Sequence, residues 1–193
     1  MSSVVISGDT SGAITVSAPA VSGTNTLTLQ AATATSSVNT LATAVASTSG
    51  TSIDFTSLPS WIKRITIMFI GVSGSGTSFP TVRLGDAGGI ETTGYLGSTQ
   101  SGTSGVLFTT GFEFASNIAT AARLYHGAMY ITLQNSSTNT WAATSIVGVS
   151  DGASVAIMGG SKSLSETLTQ VRITFVNGTD TFDAGSINIL YEG

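Results

Sequence analysis

No cysteine occurs in the 193 residues, and proline (3), histidine (1) and charged residues (8%) are scarce. Without thiols the chain has no disulfides, no thiolate zinc site and no cysteine nucleophile. Six basic residues against ten acidic ones give a net charge of -4, so there is no positive field to gather a phosphate backbone, and nucleic acid is not an expected partner. No apolar run reaches the roughly 18 residues of a membrane span. The longest, ITIMFIGV at 65–72, is interrupted by Thr66 and Gly71. The opening MSSVVISGDTSG has neither the basic head nor the apolar stretch of a secretion signal. It predicts a chain made in a cytoplasm that stays soluble, with no membrane insertion.

What fills the chain instead is hydroxyl and glycine. Serine and threonine make up about a third of it, and 23 residues are glycine. Such a surface is wetted by hydroxyls rather than by the usual mixture of charges. A protein of this kind without disulfides is expected to draw durability from oligomerisation, because copies that cover one another bury surface a single chain cannot.

Three regions are predicted. Residues 1–35 form an extended β-rich N-terminal arm, with β-prone pieces at Val4–Ile6, Ala13–Val16 and Thr26–Leu29 between glycine-containing turns. Residues 36–50 are an Ala/Ser/Thr linker. Within it Val38, Leu41 and Val45 also fit the seam of a short helix that would pack in threes. From residue 51 to 193 strand-like runs recur every 8–12 residues or so, the pattern of a sandwich or barrel. The fold class is all-β, with an antiparallel, jelly-roll-like β-sandwich as the body. Expected strands include Arg64–Val72, a continuous Val106–Phe114, Ala142–Val149 and Val155–Gly159. The segment GSTQSGTSG (97–105) reads as a connector.

Catalytic chemistry is thin. The single histidine, His126, lies far in sequence from Glu113 and Asp151, and a catalytic imidazole needs both a carboxylate and a nucleophile beside it. Asp180 and Asp183 are three apart around a turn; such a pair serves glycoside hydrolysis or calcium only within a larger constellation, and NGTD is also an ordinary Asx loop. MGGSK (158–162) lacks the first glycine of a phosphate-binding loop and reads as a sheet connection. The expected reading is no enzyme, no cofactor and no metal. The remaining candidates for ligand contact are aromatic rings near turns, Trp141 and Tyr125 foremost.

Four stretches taken together, DFTSLPSWIKRITIMFIGVS, LGDAGGIETTGYLGS, ITLQNSSTNTW and LTQVRITFVNGTDTFDAGSINILYE, resemble a module of virion surface and tail-fibre proteins of tailed bacteriophages. The resemblance covers 51–193 nearly continuously, and the front segment is similar to pieces of fibre shafts. It implies an assembled, trimeric structural protein on the exterior of the particle, a tail fibre or a capsid decoration. The partners are then sister copies in a homotrimer and other virion proteins, shell or tail, docked through the arm. Host surface glycans are a second expected partner, if the body is a receptor-binding module that uses Trp141 and Tyr125.

Within IDFTSLPSWIKRITIMFI (53–70) a proline and a tryptophan precede a strand with two apolar-leaning faces. Ile65, Ile67 and Phe69 are expected in the core, and Thr66, Met68 and Ile70 on the opposite side. A strand buried on both sides points to a subunit contact. Met68 and Ile70 are therefore expected near a threefold interface, with Trp61 closing the corner.

Overall fold

The computed structural model describes residues 3–7, 13–17 and 38–193. The chain divides into two compact units, Met1–Ser36 and Ser37–Gly193. In the first, β1 (Ser3–Ser7) pairs antiparallel with β2 (Ala13–Ser17), Val4 opposite Val16 and Ile6 opposite Ile14. Four β-branched residues at those positions favour the extended backbone. The expected piece at Thr26–Leu29 lies outside the described residues.

The second unit is all-β, two antiparallel sheets with no helix among the described residues. The larger has nine strands: β3 (Asn39–Leu41), β4 (Val45–Ala46), β6 (Arg64–Gly74), β9 (Tyr95–Ser101), β10 (Ser104–Phe108), β12 (Tyr125–Asn135), β13 (Thr140–Val149), β14 (Val155–Ser163) and β16 (Phe182–Glu192). Their order is β10-β9-β14-β13-β12-β6-β16-β3, with β4 also pairing β16. The smaller has five: β5 (Ser52–Phe55), β7 (Pro80–Asp86), β8 (Gly89–Ile90), β11 (Phe112–Glu113) and β15 (Gln170–Phe175), in the order β11-β7-β15-β5 with β8 also on β7.

One hydrophobic core lies between the sheets, and strand alternation builds it. Along β13, Trp141, Ala143, Ser145 and Val147 are buried while Ala142, Thr144 and Ile146 are exposed. On β6, Ile65, Ile67 and Phe69 are fully buried, as their alternation predicts. Aromatic pairs tie one sheet to the other: Tyr95 of β9 meets Phe112 of β11 edge-on at 5.0 Å, and Phe175 of β15 lies 4.9 Å from Phe182 of β16. Phe69 stacks on Phe114, just past β11, at 4.4 Å. Each such pair adds about 0.5–1.5 kcal/mol beyond the area it buries.

Sequence and structure part in four places. The predicted strand Val106–Phe114 is broken at 109–111, where the chain leaves the large sheet for the small one, so that Phe108 and Phe112 enter the same core from different sheets and meet edge-on at 6.1 Å. The predicted connector 97–105 is mostly strand: the β9–β10 hairpin runs through it. Its inward positions are Gly97, Thr99 and Ser101, so hydrophobic alternation gives no sign of it. MGGSK lies inside β14. The Val38, Leu41 and Val45 helix does not form; β3 and β4 pair with β16, and Leu41 is 63% exposed. Threonine and serine disfavour a helix, and β16 supplies an open edge that satisfies the backbone instead.

Candidate interaction face

The expected ligand-contact rings are not at the surface. Trp141 is 3% exposed and Tyr125 2%, because each lies in phase with the inward residues of its own strand. Burial pushes the Tyr125 hydroxyl up to about 12. Neither ring offers a face to a sugar. Tyr130, out of phase on β12, is 49% exposed, and Trp61 is 39% exposed.

Trp61 sits where the sequence places a corner. Leu58 and Ile62 on either side of it are buried, and the Ile62 amide donates to the Pro59 carbonyl to close the turn. The indole packs on Tyr191 at 5.8 Å and lies over Gly193, where an added Cβ would come within 2.4 Å of it. The next residue but two, Arg64, is ion-paired with Glu192. On β6, Thr66 is buried, Met68 half-buried and Ile70 61% exposed, so the second face of this strand is covered at one end and open at the other.

His126 and Ser150 form a pair that resembles part of a nucleophile site, His126 Nε2 lying 3.1 Å from Ser150 Oγ. Its polarity is the reverse of a catalytic one. The Gly71 amide donates to His126 Nδ1 at 3.3 Å, so Nδ1 carries no proton and the neutral ring bears its proton on Nε2, directed at the serine. A general base needs the opposite arrangement. Asp151, the nearest acid in sequence, instead accepts from the Leu124 amide and lies 3.5 Å from Arg123 Nε. Asp180 is equally occupied: its carboxylate accepts from the Ser78 amide at 2.9 Å and from Asn177 Nδ2 at 2.7 Å, an internal loop tie. Among the described residues no group of three or more His, Cys, Asp or Glu side chains could hold a metal ion.

The densest polar cluster joins the two sheets. Asp86 of β7 accepts from Ser165 Oγ at 2.7 Å and from the Glu166 amide at 3.0 Å, and Glu91 accepts from the Ser165 amide and from Lys162. The Ser165 hydroxyl, followed by the amides, holds the Asp86 carboxyl below the ordinary range against the opposing effect of burial. At Glu91 burial pushes upward most strongly, yet the bonds from Lys162 and Ser165 together outweigh it and leave the carboxyl depressed. Two ionised acids, one ammonium and a tied serine make a latch, with no free nucleophile.

The outward faces of the two sheets differ. On the small sheet a row of cross-strand neighbours is Asp54–Arg172–Arg83, with a bidentate Asp54–Arg172 pair at 2.7 Å. On the large sheet the register aligns Gln100, Ile157, Ile146, Ala128, Met68 and Asn188 in one row. The next row is Leu107, Ser98, Gly159, Thr144, Tyr130, Thr66, Leu190 and Leu41. Neither contains an Asp, Glu, Lys, Arg or His. Apolar exposure is high: Leu107 82%, Leu96 67%, Ile146 65%, and Ile157 and Val155 both 54%. A shallow depression of about 240 Å³ lies on this face between Ser98, Gln100, Ile157 and Gly159.

Sequence reasoning found Met68 and Ile70 on this face but missed Ile146 and Ile157. In TSIVGV both Ile146 and Val147 are apolar and the inward neighbour is Ser145, so composition leaves the phase open. The one available signal is Trp141, which fixes the inward parity of β13 only if it is itself taken as core. Comparison with protein-family models, with curated proteins and with solved structures gave no match for this chain.

Proposed function

We propose that this chain is a structural protein of a tailed-bacteriophage virion. The body 51–193 is its jelly-roll-like knob, projecting from the particle in a homotrimeric fibre or capsid decoration, and the N-terminal arm docks on other virion proteins. The observation that carries the reading is the pair of uncharged middle rows on the outward face of the nine-stranded sheet, a surface of small, hydroxylic and aliphatic side chains suited to covering by protein. The resemblance of 51–193 to virion modules supports it. So does the absence, among the described residues, of an acid, base and nucleophile arranged for catalysis.

The test is location. An antibody to the body should label purified particles at the head surface or tail in electron micrographs, and a chain lacking residues 1–35 should fold yet fail to join particles. Particles that carry no label overturn the proposal. Recognition of host glycans by the same knob would have to use Trp61 or Tyr130, the exposed rings, in place of the buried Trp141 and Tyr125.

A further inference from the structure

We infer that sister copies of this chain meet through the outward face of the nine-stranded sheet, at a contact centred on Ile146, Ile157 and Gly159 rather than at the Trp61 corner. The inference takes the number of copies, three about one axis, from the structural-protein reading above. The position of the contact comes from the sheet alone.

Ile146 and Ile157 are directly opposed on neighbouring strands, and Val155 is two residues from Ile157 on the same face. All three are more than half exposed, although they stand on central strands of a sheet whose other side is packed. An unpartnered cluster of this size on the central strands of a sheet is where a protein interface places its dry core.

Area and chemistry select the occupant. Eight strands abreast at about 4.8 Å spacing and about six residues of each at 3.4 Å give a face of roughly 34 by 20 Å, on the order of 700 Å². That is close to the roughly 800 Å² per partner of a standard stable interface. The two middle rows carry no charge, so they offer nothing to an anionic or cationic partner, and a copy of the same face meets them without repulsion. Their exposed polar members Thr144, Ser98 and Gln100 each both donate and accept hydrogen bonds, which makes the face complementary to itself. The charges of this sheet lie at its ends: Arg64 and Glu192, at the start of β6 and the end of β16, are paired with each other, and Asp183 is exposed near the start of β16, while Asp54, Arg83 and Arg172 lie on the outward side of the other sheet.

Gly159 supplies the test. A Cβ built there meets nothing within 4 Å, and its backbone is ordinary, so a large side chain enters open space in an isolated copy but occupies the contact in an assembly. Gly159→Arg and, independently, Ile157→Glu are compared with the wild-type full chain by sedimentation, with far-UV circular dichroism to verify folding. The expected result is a wild-type trimer and folded variants whose dissociation constant is raised about a hundredfold or more, the effect of an unpaired charge in a buried contact. Trp61→Ala should leave the assembly intact.

Variants as tightly associated as wild type overturn the inference. So does a wild type that stays monomeric at its highest soluble concentration. Loss of assembly in Trp61→Ala but not in Gly159→Arg restores the corner as the contact and overturns this one. A wild-type dimer abolished by Gly159→Arg supports the face and overturns the count of three. None of these outcomes bears on whether the protein is found on particles, which the labelling experiment decides separately.

Discussion

Lys162, 5% exposed at the C-terminal end of β14, donates its ammonium to the Glu91 carboxylate while lying 5.4 Å above the centre of the Tyr95 ring. A lysine on the inward side of a sheet is tolerable only with such a partner, because an unpaired charge in the interior costs several kcal/mol. Tyr95 is itself fixed by the Leu84 amide, which donates to its hydroxyl at 2.7 Å, and by its own bond to the Glu91 carbonyl. Removing one charge, as in Glu91→Gln or Lys162→Met, should destabilise the body by about 2–3 kcal/mol. This is below the ~3–5 kcal/mol of a fully buried pair because the Glu91 side chain keeps 23% of its exposure. Replacing both, Glu91→Leu with Lys162→Met, should cost less than either single change. Urea unfolding of the four proteins checks the sign of the coupling.

Opposite shifts in two carboxyl sites predict a pH profile for stability. Asp86 and Glu91 are depressed, so their contribution is present above the unfolded values of 3.8 and 4.5 and is lost as pH falls through the folded ones. Glu113 is raised, chiefly because burial disfavours its charge, with the Ser116 hydroxyl at 2.9 Å only partly offsetting this. Its contribution is therefore present below 4.5 and lost as pH rises through the folded value. Glu113→Gln keeps an acceptor for Ser116 and removes the titration. Melting temperatures taken across the acid range should show the variant gaining on wild type as pH rises above 4.5, with both losing stability at the acid end.

Trp141 separates a ligand role from a packing role. Its ring is core, and its Nε1 has no hydrogen-bond partner among the described residues, so Trp141→Phe gives up little more than an unsatisfied donor. It should cost at most about 1 kcal/mol, whereas Trp141→Ala should cost about 3–5 kcal/mol by opening a cavity. Tyr130→Ala, on the open face, should leave the stability of an isolated copy within about 0.5 kcal/mol. Thermal unfolding ranks the three. A glycan array on which Trp141→Phe loses a signal that wild type shows would reverse the assignment.

How far the sequence could be read depends on which physical signal each element left in it. Strands whose inward residues are large and apolar, such as Ile65, Ile67 and Phe69 on β6, announced themselves by alternation. β9 did not, because below Tyr95 its inward positions are Gly97, Thr99 and Ser101. These are small residues, and Gly97 leaves room for the Phe108 ring, a demand set by a partner strand and invisible locally. The break at 109–111 is of the same kind: FTTGFEF has uniform strand character, and only the need to supply both sheets from one segment bends it. At the candidate face the sequence showed that charge was missing. It did not show that the two middle rows of the large sheet would be left without charge, since that depends on the parity of strands whose two sides are both mildly apolar.

Two adjacent glycines give the sharpest test of that parity. Gly160 points inward, where an added Cβ would lie 2.8 Å from both the Leu96 carbonyl oxygen and the Phe108 ring. Gly159 points outward into open space. Gly160→Ala must therefore push aside either backbone or a buried aromatic, at about 1–3 kcal/mol for an overpacked core site. Gly159→Ala should be neutral or slightly stabilising in an isolated copy, since alanine restricts the unfolded chain more than glycine does. Denaturant midpoints of the two variants should differ in that order. The opposite order would mean that β14 is out of register by one residue, which would turn Ile157 inward and dissolve the exposed aliphatic cluster, because a one-residue slip moves every side chain of a strand to the other face.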